Sequence, residues 1–273
     1  MSLFIASLNS GSNGNCYYIG NRREAVLVDL GISCRELEKR MKRLELDMGK
    51  VKAIFISHEH TDHISGLAVT SRKHRIPVFI TPPTLQNSRL QLDHSLVSSF
   101  CADVPVAIGA LNITPFTKHH DAADPFSFLV EGQGIKVGVF TDIGHSCPNV
   151  IRHFKQCHAA FLEANYDEQM LEESAYPIYL KKRISGEKGH LSNEQSLDLF
   201  RKHRPAFLNH LFLAHLSKNN NKPELVQELF STQAGSTNIV VASRYEESAV
   251  YEIQQESASK PGSKTSDLQM KIF

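Results

Sequence analysis

The chain contains little cysteine: five residues among 273, scattered, odd in number and without a C-x-x-C pair. This distribution is typical of reduced thiols in a cytosolic protein, and we interpret these cysteines as structural. An apolar run of about 18 residues that could span a bilayer is also missing. The first residues, MSLFIASLNSG, lack the basic start of a signal peptide. These absences predict a cytoplasmic protein with no membrane partner.

Excess charge of either sign is missing too. Lysine and arginine number 30, and aspartate and glutamate number 29, for a formal net charge of +1. The global basicity of many nucleic-acid binders is therefore absent, and a polyanion would have to be bound by a local patch. No internal repeat of solenoid period is visible. The length and the hydrophobic content of 41% predict one large α/β domain with its own core.

Short apolar and β-branched runs alternate with helical patterns along the chain. Strands are predicted at runs such as VKAIFIS, IKVGVFTD and AAFLEAN, which end in polar loops. A helix is predicted after Ser33, a typical N-cap, because Leu37, Met41 and Leu44 share one face. Two further helices are predicted at NEQSLDLFRKH and KPELVQELFSTQ. The alternation predicts a layered α/β fold with its site along a sheet edge.

The densest group of chemically active side chains is FISHEHTDHISG, residues 55–66. His58 and His60 follow an apolar strand two residues apart, so their rings can converge on one cation, and Asp62 and His63 are placed to bind a second. A histidine-rich surface loop is the alternative interpretation. Four metal-binding side chains within six residues favour a metal site.

This segment resembles the H-x-H-x-D-H signature of the metallo-β-lactamase superfamily, and the resemblance extends over roughly residues 1–253. It implies the four-layer αββα sandwich of that family and two divalent metal ions. By this resemblance Asp29, in LVDLG, supports the metal loop, and Asp142, in VFTDIGH, bridges the two metals. The implied metal ligands are His58, His60, Asp62, His63, His120, Asp142 and His215.

Two of these ligands have a competitor nearby in the sequence. His119 and His120 are adjacent, and only one can point into the site from a loop that leaves a strand; the context HDAADP favours His120 by resemblance to a narrower group, described next. His210 lies within the apolar run LNHLFLAH, whereas His215 ends it and precedes a turn-like segment. His215 is therefore the favoured ligand.

Several stretches resemble the YycJ/WalJ-type hydrolases of bacteria, among them SLNSGSNGNCYYIG, EANYDEQML and YPIYLKKRISGEKGHLSNEQ. The resemblance implies a 5′→3′ exonuclease that acts on DNA, with a connection to mismatch repair. One departure is Tyr166, which stands where the group often has the histidine of an N-H-D triplet. Any role of that histidine is absent here or is taken by the tyrosine hydroxyl.

The predicted reaction is hydrolysis of a phosphodiester. Two divalent ions bridged by Asp142 would lower the pKa of a shared water, so that hydroxide is the nucleophile at neutral pH. The ligands suit zinc, manganese and iron alike, with zinc or manganese as the candidates. His190 and Glu163 resemble the Glu–His couple of RNase Z-type nucleases, in which the imidazole is the general acid. With Asp62 they form the predicted catalytic set; the alternative is that His190 caps the helix beginning near Ser192.

Local cations and a glycine-rich loop are the candidates for holding phosphates. Lys182 and Arg183, in LKKRISGEKGH, can contact a nucleic-acid backbone without reading its sequence. The loop NSGSNGN offers backbone amides and the side chains of Ser10, Asn13 and Asn15. A solvated helix face and a plain hairpin turn are the respective alternatives.

Hydrolysis of a small molecule is the alternative function. A cyclic phosphodiesterase, thioesterase or lactamase-like enzyme would share the metal ligands but would need neither the basic stretch nor the pair of Glu163 and His190. A non-catalytic binding protein on a degenerate hydrolase fold is disfavoured by the complete ligand set. The sequence therefore favours a metal-dependent nuclease with DNA as its substrate.

The C-terminal residues suggest a protein partner. We expect the hydrolase domain to cover residues 1–253 and a flexible tail to cover residues 254–273, because QQESASKPGSKTSD has almost nothing to bury. In the terminal QMKIF, Gln269, Ile272 and Phe273 resemble the motif by which bacterial replication and repair proteins bind the DNA polymerase sliding clamp. Alternatively, the two apolar residues pack on the protein's own surface.

Overall fold

The strands of the structure, a computed structural model that describes residues 2–254, form two sheets. The first sheet contains β1 (Ser2–Asn9), β2 (Cys16–Gly20), β3 (Ala25–Val28), β4 (Val51–Phe55), β5 (Val78–Phe79), β6 (Val97–Ser98) and β14 (Tyr251–Gln254). Its order is β14-β1-β2-β3-β4-β5-β6. The second contains β7 (Val106–Ile108), β8 (Leu111–Thr117), β9 (Phe126–Gly132), β10 (Ile135–Phe140), β11 (Ala159–Glu163), β12 (His210–Ala214) and β13 (Asn238–Val241). Its order is β13-β12-β11-β10-β9-β8-β7.

Helices connect the strands and cover the outer faces of the sheets. In chain order they are α1 (Cys34–Arg43), α2 (Thr61–Ile64), α3 (Leu67–His74), α4 (Pro82–Ser88), α5 (Pro148–Phe154), α6 (Glu168–Glu173), α7 (Ile178–Ser185), α8 (Asn193–His203) and α9 (Pro223–Ser231). Buried side chains of α1, α2 and α3 share a cluster with the first sheet. Those of α5, α8 and α9 share a cluster with the second.

A third apolar cluster fills the space between the two sheets. Leu3 and Phe55 of the first sheet meet Phe128, Phe161 and Phe212 of the second in this cluster. Burial of aromatic and aliphatic side chains on both faces of each sheet is what holds such layers together. The result is helix, sheet, sheet and helix in succession, which confirms the predicted four-layer αββα sandwich.

Local sequence signals account for the outer helices. The Ser33 hydroxyl accepts a hydrogen bond of 3.2 Å from the Glu36 backbone N–H, so α1 starts at its predicted cap. Leu37 and Met41 are buried on its inner face, and Leu44 packs beside them. α8 and α9 form at the other two predicted segments. The three helix predictions are therefore confirmed.

Parallel strand pairs bring distant segments to one end of the sandwich. β3 runs parallel to β4 in the first sheet, and β10, β11 and β12 run parallel in the second. Side chains that follow the ends of β4, β10 and β12 approach one another closely enough to share metal ions. Binding sites at the carboxyl ends of parallel strands are a general property of α/β folds.

The connection from β11 to α8 contains a helix that the sequence did not predict. The basic stretch around Lys182 forms α7, which has no buried residue. Within residues 2–254, none of the helices is long and apolar enough to cross a membrane. The last described strand, β14, pairs with β1, with Gln254 opposite Ser2. The predicted partner-binding residues lie outside the described residues: Gln269, Ile272 and Phe273.

Candidate metal centre

The loop after β4 and the short helix α2 carry four of the predicted metal ligands. His58 and His63 are fully buried, whereas His60 and Asp62 are half-buried at the rim. The loop can pack this tightly because Gly31 has no side chain: a Cβ there would collide with the Asp62 carbonyl. That carbonyl accepts a hydrogen bond of 2.7 Å from a backbone N–H of the loop after β1. The loop is therefore held by backbone contacts as well as by its side chains.

Three imidazoles form the first group of potential ligands. Atoms of His58, His60 and His120 lie within 4.8 Å of one another. His120 Nε2 is 3.4 Å from His60 Nδ1. His119, the competitor of His120, is exposed, and its ring packs at a tilt against that of His145 with centroids 4.4 Å apart. The structure thus places His120 in the group and His119 outside it.

The second group lies beside the first and contains Asp62, His63 and His215. His215 Nε2 is 3.4 Å from Asp62 Oδ2, and His63 Nε2 is 3.5 Å from the same oxygen. His210, the competitor of His215, is the first residue of β12, where its ring packs against Tyr251. Of these two histidines, the structure brings only His215 into the group.

Asp142 lies between the two groups. Its Oδ2 is 3.2 Å from His63 Nε2, and its Oδ1 is 3.8 Å from His120 Nε2. Its Oδ1 is also 3.6 Å from His215 Nδ1, so the carboxylate lies against both groups, as a bridging ligand must. The backbone of Asp142 is left-handed, with φ of 56°, and that of His215 is similar, at 57°. Such strained conformations cluster at functional sites, where surrounding contacts hold them.

The donor set fits a pair of divalent ions. His58 Nε2 is buried and has no hydrogen-bond partner among the described residues, although its Nδ1 contacts the Ser57 hydroxyl at 2.8 Å. A buried ring nitrogen without a partner is costly unless a cation binds it. Imidazole and carboxylate are the ligands that zinc, manganese and iron share. The residues present could therefore hold two such ions, with Asp142 between them.

Asp29 orients ligands without being one of them. Its Oδ2 accepts a hydrogen bond of 2.7 Å from His63 Nδ1 and one of 2.8 Å from the Ser57 hydroxyl. Its Oδ1 accepts the backbone N–H of Ser57 at 2.8 Å. With Nδ1 of His63 occupied, Nε2 is the atom directed to the second group. Hydrogen bonds of this kind set the tautomer and increase the basicity of a metal-binding histidine.

Charges in the pocket strongly favour a cation. Burial by itself would lower the pKa of His215, but the carboxylates of Asp142, Asp62 and Glu163 outweigh it and raise that pKa to about 10. Burial would raise the pKa of Asp142, but the charges of His215 and His63 hold it well below its usual range. Several carboxylates thus remain ionised in a buried space, where positive charge stabilises them.

Glu163 connects the second group to His190. Its Oε1 accepts hydrogen bonds from Nδ1 of both His190 and His215, at 2.8 Å and 2.9 Å. Its Oε2 accepts the backbone N–H groups of Ile143 and Leu191 at 2.8 Å and 3.2 Å. Burial opposes ionisation, but the charge of His190 and the hydrogen bonds from His190 and His215 lower the pKa of Glu163 to about 2. The carboxylate is therefore fixed, ionised and shared by two imidazoles.

The cap of α8 is Ser192, not His190. The Ser192 hydroxyl accepts the backbone N–H of Gln195 at 3.1 Å, and the Gln195 side chain accepts the backbone N–H of Ser192 at 2.9 Å. This is a complete capping box. His190 is instead held through its Nδ1, which leaves its Nε2 for a substrate.

A pocket of about 250 Å³ opens above the two groups of ligands. Besides ligand-type residues, its lining includes side chains that the sequence analysis did not select: Ser12, Asn165, Tyr176, Leu180, Ile184 and Ser217. Tyr176, Leu180 and Ile184 belong to α7 or to the segment before it, so this helix forms one wall. Tyr176 and the two aliphatic residues of α7 have no chemical signature in the sequence, and only the tertiary structure identifies them.

The residues predicted to bind substrate occupy different environments. The buried Ser10 hydroxyl accepts the His215 backbone N–H at 2.7 Å, and buried Asn15 lies 3.2 Å from Asp62 Oδ2 through its amide nitrogen. Both therefore support ligand-type residues and are absent from the pocket lining. Asn13 is exposed and donates to a backbone carbonyl at 2.8 Å. In the same loop, Ser12 is the side chain that lines the pocket.

The two predicted cations of α7 also differ from each other. Lys182 is exposed, whereas Arg183 lines the pocket and forms an ion pair of 2.5 Å with Asp121. Asp121 follows a ligand-type residue in the sequence, and its Oδ1 is 3.3 Å from His120 Nε2. The sequence could have indicated Asp121 as a site residue, because it directly follows the predicted ligand His120. Arg183 is therefore held at the pocket rim by a carboxylate.

One buried lysine lies behind the site. Lys118 is buried, and its ammonium group donates to the Thr141 carbonyl at 2.7 Å. Burial lowers the pKa of this lysine, against the opposing effect of Asp142 and other carboxylates. The sequence analysis did not select it, although it lies two residues before His120. Its contact with Thr141 ties the loop of His120 to the backbone next to Asp142.

Imidazoles and carboxylates grouped at one end of a four-layer αββα sandwich define a metal-dependent hydrolase. A family model described as a beta-lactamase superfamily domain matches residues 24–215. The chain belongs to this superfamily, in its metallo-β-lactamase fold, as the H-x-H-x-D-H signature predicted.

Curated relatives and a solved structure show how far the likeness extends. Exodeoxyribonuclease YycJ of Bacillus anthracis is 33% identical over 232 residues, which cover 83% of this chain and 87% of the relative. Exodeoxyribonuclease WalJ of Streptococcus pneumoniae serotype 2 is 28% identical over 239 residues, covering 86% and 89%. Zn²⁺-bound PqqB from Methylobacterium extorquens has a TM-score of 0.71 at 11% identity and covers 90% of this chain and 99% of its own. The first two confirm the resemblance to the YycJ/WalJ group, and the third shows the shared fold.

Proposed function

We propose that the protein is a metal-dependent phosphodiesterase that degrades DNA as a 5′→3′ exonuclease, in the cytoplasm and in the service of DNA repair. The contact between His190 Nδ1 and Glu163 Oε1, 2.8 Å long and at the wall of the metal pocket, carries this proposal. A sugar oxygen is a poor leaving group because its pKa is high, so a positioned acid benefits its departure most. The two relatives named exodeoxyribonucleases support DNA as the substrate.

Two divalent ions would be held by the two groups of ligand-type residues. The residues in question are His58, His60, Asp62, His63, His120, Asp142 and His215. Zinc and manganese are our candidates, and iron suits the same donors. When bound, such ions activate a water and neutralise charge on the phosphoryl oxygens. The protein's own contribution is to hold the donors in fixed orientations before the ions arrive.

His190 would supply the proton that the leaving sugar oxygen takes up. Its Nδ1–H remains hydrogen-bonded to Glu163, so the transferred proton leaves from Nε2. The Glu163 carboxylate accepts the Nδ1–H and so fixes the orientation of the ring before the transfer. Backbone N–H groups of Ile143 and Leu191 keep the carboxylate in place throughout. His190 thus transfers the proton, and Glu163 fixes the orientation of the imidazole from which it leaves.

The wall formed by α7 would hold the DNA backbone. Arg183 lies at the pocket rim, and Lys182 is exposed beside it on the same helix. Cations placed in this way bind phosphates without reading the base sequence, as an exonuclease requires. Ser12 on the opposite loop adds a hydroxyl to the pocket lining. We assign phosphate binding to these three residues, and a supporting role to Ser10 and Asn15.

The test is digestion of 5′-phosphorylated DNA labelled at one end or the other. With added Mn²⁺ or Zn²⁺ we expect mononucleotides from the 5′ end, and no product after a chelator is added. A p-nitrophenyl phosphodiester and a β-lactam are assayed in parallel. Faster turnover of the β-lactam, or release of label from the 3′ end first, would contradict the proposal.

Binding to a DNA sliding clamp remains a separate proposal about the tail. Gln269 would hydrogen-bond in a polar recess of the clamp, while Ile272 and Phe273 would enter an apolar groove, each contributing about 1.5–3 kcal/mol on burial. After the entropic cost of ordering the tail is subtracted, we expect a Kd of about 1 μM. Tethering at this affinity would concentrate the nuclease on newly made DNA.

The clamp proposal is tested by titrating a labelled SDLQMKIF peptide against the clamp of the same organism. Replacement of Ile272 and Phe273 by alanine should abolish binding. Binding that ignores both replacements, or none at about 100 μM peptide, would remove the proposal. Neither result depends on nuclease activity.

A further inference from the structure

A second cavity lies directly beside the metal pocket. Its volume is about 230 Å³, and its walls come from the segments that follow β1, β12 and β13. Pockets for drug-sized ligands occupy about 300–1,000 Å³, so this cavity matches a single ring system. Ser217 lines both the cavity and the metal pocket. The cavity and the metal pocket therefore adjoin at Ser217, and a single molecule could occupy both.

The cavity combines apolar walls with cationic groups. Leu216, Pro223, Val241 and Ala242 contribute its apolar surface. Arg244 and Lys218 also line it, and carboxylates are absent from its described lining. Apolar walls with a few polar groups are typical of sites that bind flat organic rings, and the cations favour a ligand that carries phosphate.

An exposed aromatic side chain stands at this cavity. Tyr245 lines the cavity although 71% of its surface is exposed. The guanidinium carbon of Arg244 lies 5.9 Å from the centre of its ring, within the range of a cation–π contact. Nη1 of Arg244 is buried and has no hydrogen-bond partner among the described residues. A buried donor is costly to leave unpaired, and an acceptor on a ligand would satisfy it.

The cavity is also connected to the ligand His215 through the backbone. His215 ends the segment whose next residues, Leu216 and Ser217, form the cavity wall. Ser10, which also lines the cavity, accepts the backbone N–H of His215 at 2.7 Å. A phosphate at the metal pocket and a ring in the cavity would therefore lie on either side of a single short segment of chain.

We propose that this cavity is a nucleobase subsite, which receives the base of the nucleotide adjoining the bond that is cut. Tyr245 stacks against the base, the apolar walls enclose it, and Arg244 and Lys218 contact the neighbouring phosphates. This proposal rests on the proposed nuclease function. Stacking on an aromatic ring accepts every base, so the subsite provides affinity and position without sequence preference.

The experiment compares two ligands that differ only in the base. The intact protein is titrated by calorimetry with deoxyadenosine 5′-monophosphate and with 2-deoxyribose 5-phosphate. We expect the nucleotide to bind about tenfold more tightly, a difference in the range of one base–aromatic stack. Tyr245→Ala should reduce this ratio towards one, and Tyr245→Phe should preserve it. The affinity for 2-deoxyribose 5-phosphate should be the same in all three proteins.

Two further variants separate the cavity from general effects. Ala242→Phe fills the cavity and should remove the preference for the nucleotide, provided that its thermal unfolding matches that of the parent protein. Tyr179→Ala removes a tyrosine that is 74% exposed on α7 and should leave the preference intact. Equal affinities for the two ligands in the unmodified protein, or a preference that survives Tyr245→Ala, would overturn the proposal.

Failure of the subsite and failure of the proposed function give different results. If nucleotide binding depends on Tyr245 but the protein hydrolyses no DNA, the nucleobase subsite is supported and the nuclease function is contradicted. If the protein hydrolyses DNA but binds both ligands equally, the nuclease function is supported and the subsite is contradicted. As a second readout, an abasic residue at the 5′ end of an oligonucleotide should raise KM about tenfold in the parent protein and leave KM unchanged in Tyr245→Ala.

Discussion

The floor and the wall of the metal pocket are built in different ways. The floor consists of ligand-type residues, among them the buried His63 and His215, whose Nδ1 atoms are hydrogen-bonded to Asp29 and Glu163. The wall is α7, a helix without a buried residue, whose Arg183 is held at the rim by one ion pair with Asp121. Fixed donors and hydrogen-bonded carboxylates determine chemistry, whereas exposed cations determine affinity and its salt dependence. The difference indicates that substitutions in the floor change catalysis, while substitutions in the wall change substrate binding.

The largest effect should follow from Asp142→Asn. Asparagine, like aspartate, tolerates the left-handed backbone at this position, but it replaces the carboxylate that we propose as the bridge by a neutral amide. We expect turnover on DNA to fall to background, together with loss of at least one bound ion, as measured by elemental analysis. Asp103→Asn is a matched control because Asp103 also has a positive φ, of 59°, and lies on the surface. Full metal content with normal turnover would exclude the bridge.

His190→Ala should separate chemistry from metal binding. The variant should retain its ions and lose about 10²–10⁴-fold in rate on DNA, the usual contribution of a general acid. A p-nitrophenyl ester, whose leaving group needs no proton, should lose far less. His145→Ala, in a neighbouring loop, serves as the control. Equal losses on both substrates would rule out proton transfer and leave His190 with a positioning role.

Asp29→Asn tests whether the hydrogen bonds that hold the ligand-type residues contribute to metal affinity, as the ligand-type residues themselves do. The amide has a single acceptor oxygen, so it can replace Oδ2, which accepts from His63 and the Ser57 hydroxyl, or Oδ1, which accepts the Ser57 backbone N–H, but not both. Metal affinity should fall by about 10–100-fold, and excess metal should restore turnover. Asp47→Asn is the control, since Asp47 caps a surface turn. Unchanged affinity in a competition with a chelating dye would show that the loop is held by its backbone alone.

The smallest effect is expected in the wall. Lys182→Gln combined with Arg183→Gln should weaken binding of long DNA and reduce the slope of log affinity against log salt by about 2. The metal content and the turnover of a small diester should change little. Lys39→Gln with Lys42→Gln makes the same charge change on α1, where both side chains are exposed. If the two double variants behave alike, α7 is a solvated surface and not a DNA-binding wall.

The part of the site that could be predicted from the sequence is the part whose residues are close together along the chain. Four ligand-type residues fall within six positions, 58–63, where their spacing is visible in the sequence. Asp142 and His215 each follow a predicted strand, and resemblance to a family supplied their roles. The loop after β1 was also selected, but its hydrogen bonds involve β12 and α2. Which of its side chains face inward could not be derived from composition.

The sequence by itself determined the layered α/β class and the cluster of metal-binding side chains at residues 58–63, because periodicity and local spacing are visible along a single chain. The αββα sandwich, the roles of Asp142 and His215 and the pairing of Glu163 with His190 came from resemblance to known families. Only the tertiary structure decided that Glu163 serves His190 and His215 together, that α7 forms a wall, and that a cavity adjoins Ser217. The physical reason is distance along the chain: these contacts join segments that meet only after both sheets have formed and the core between them is buried.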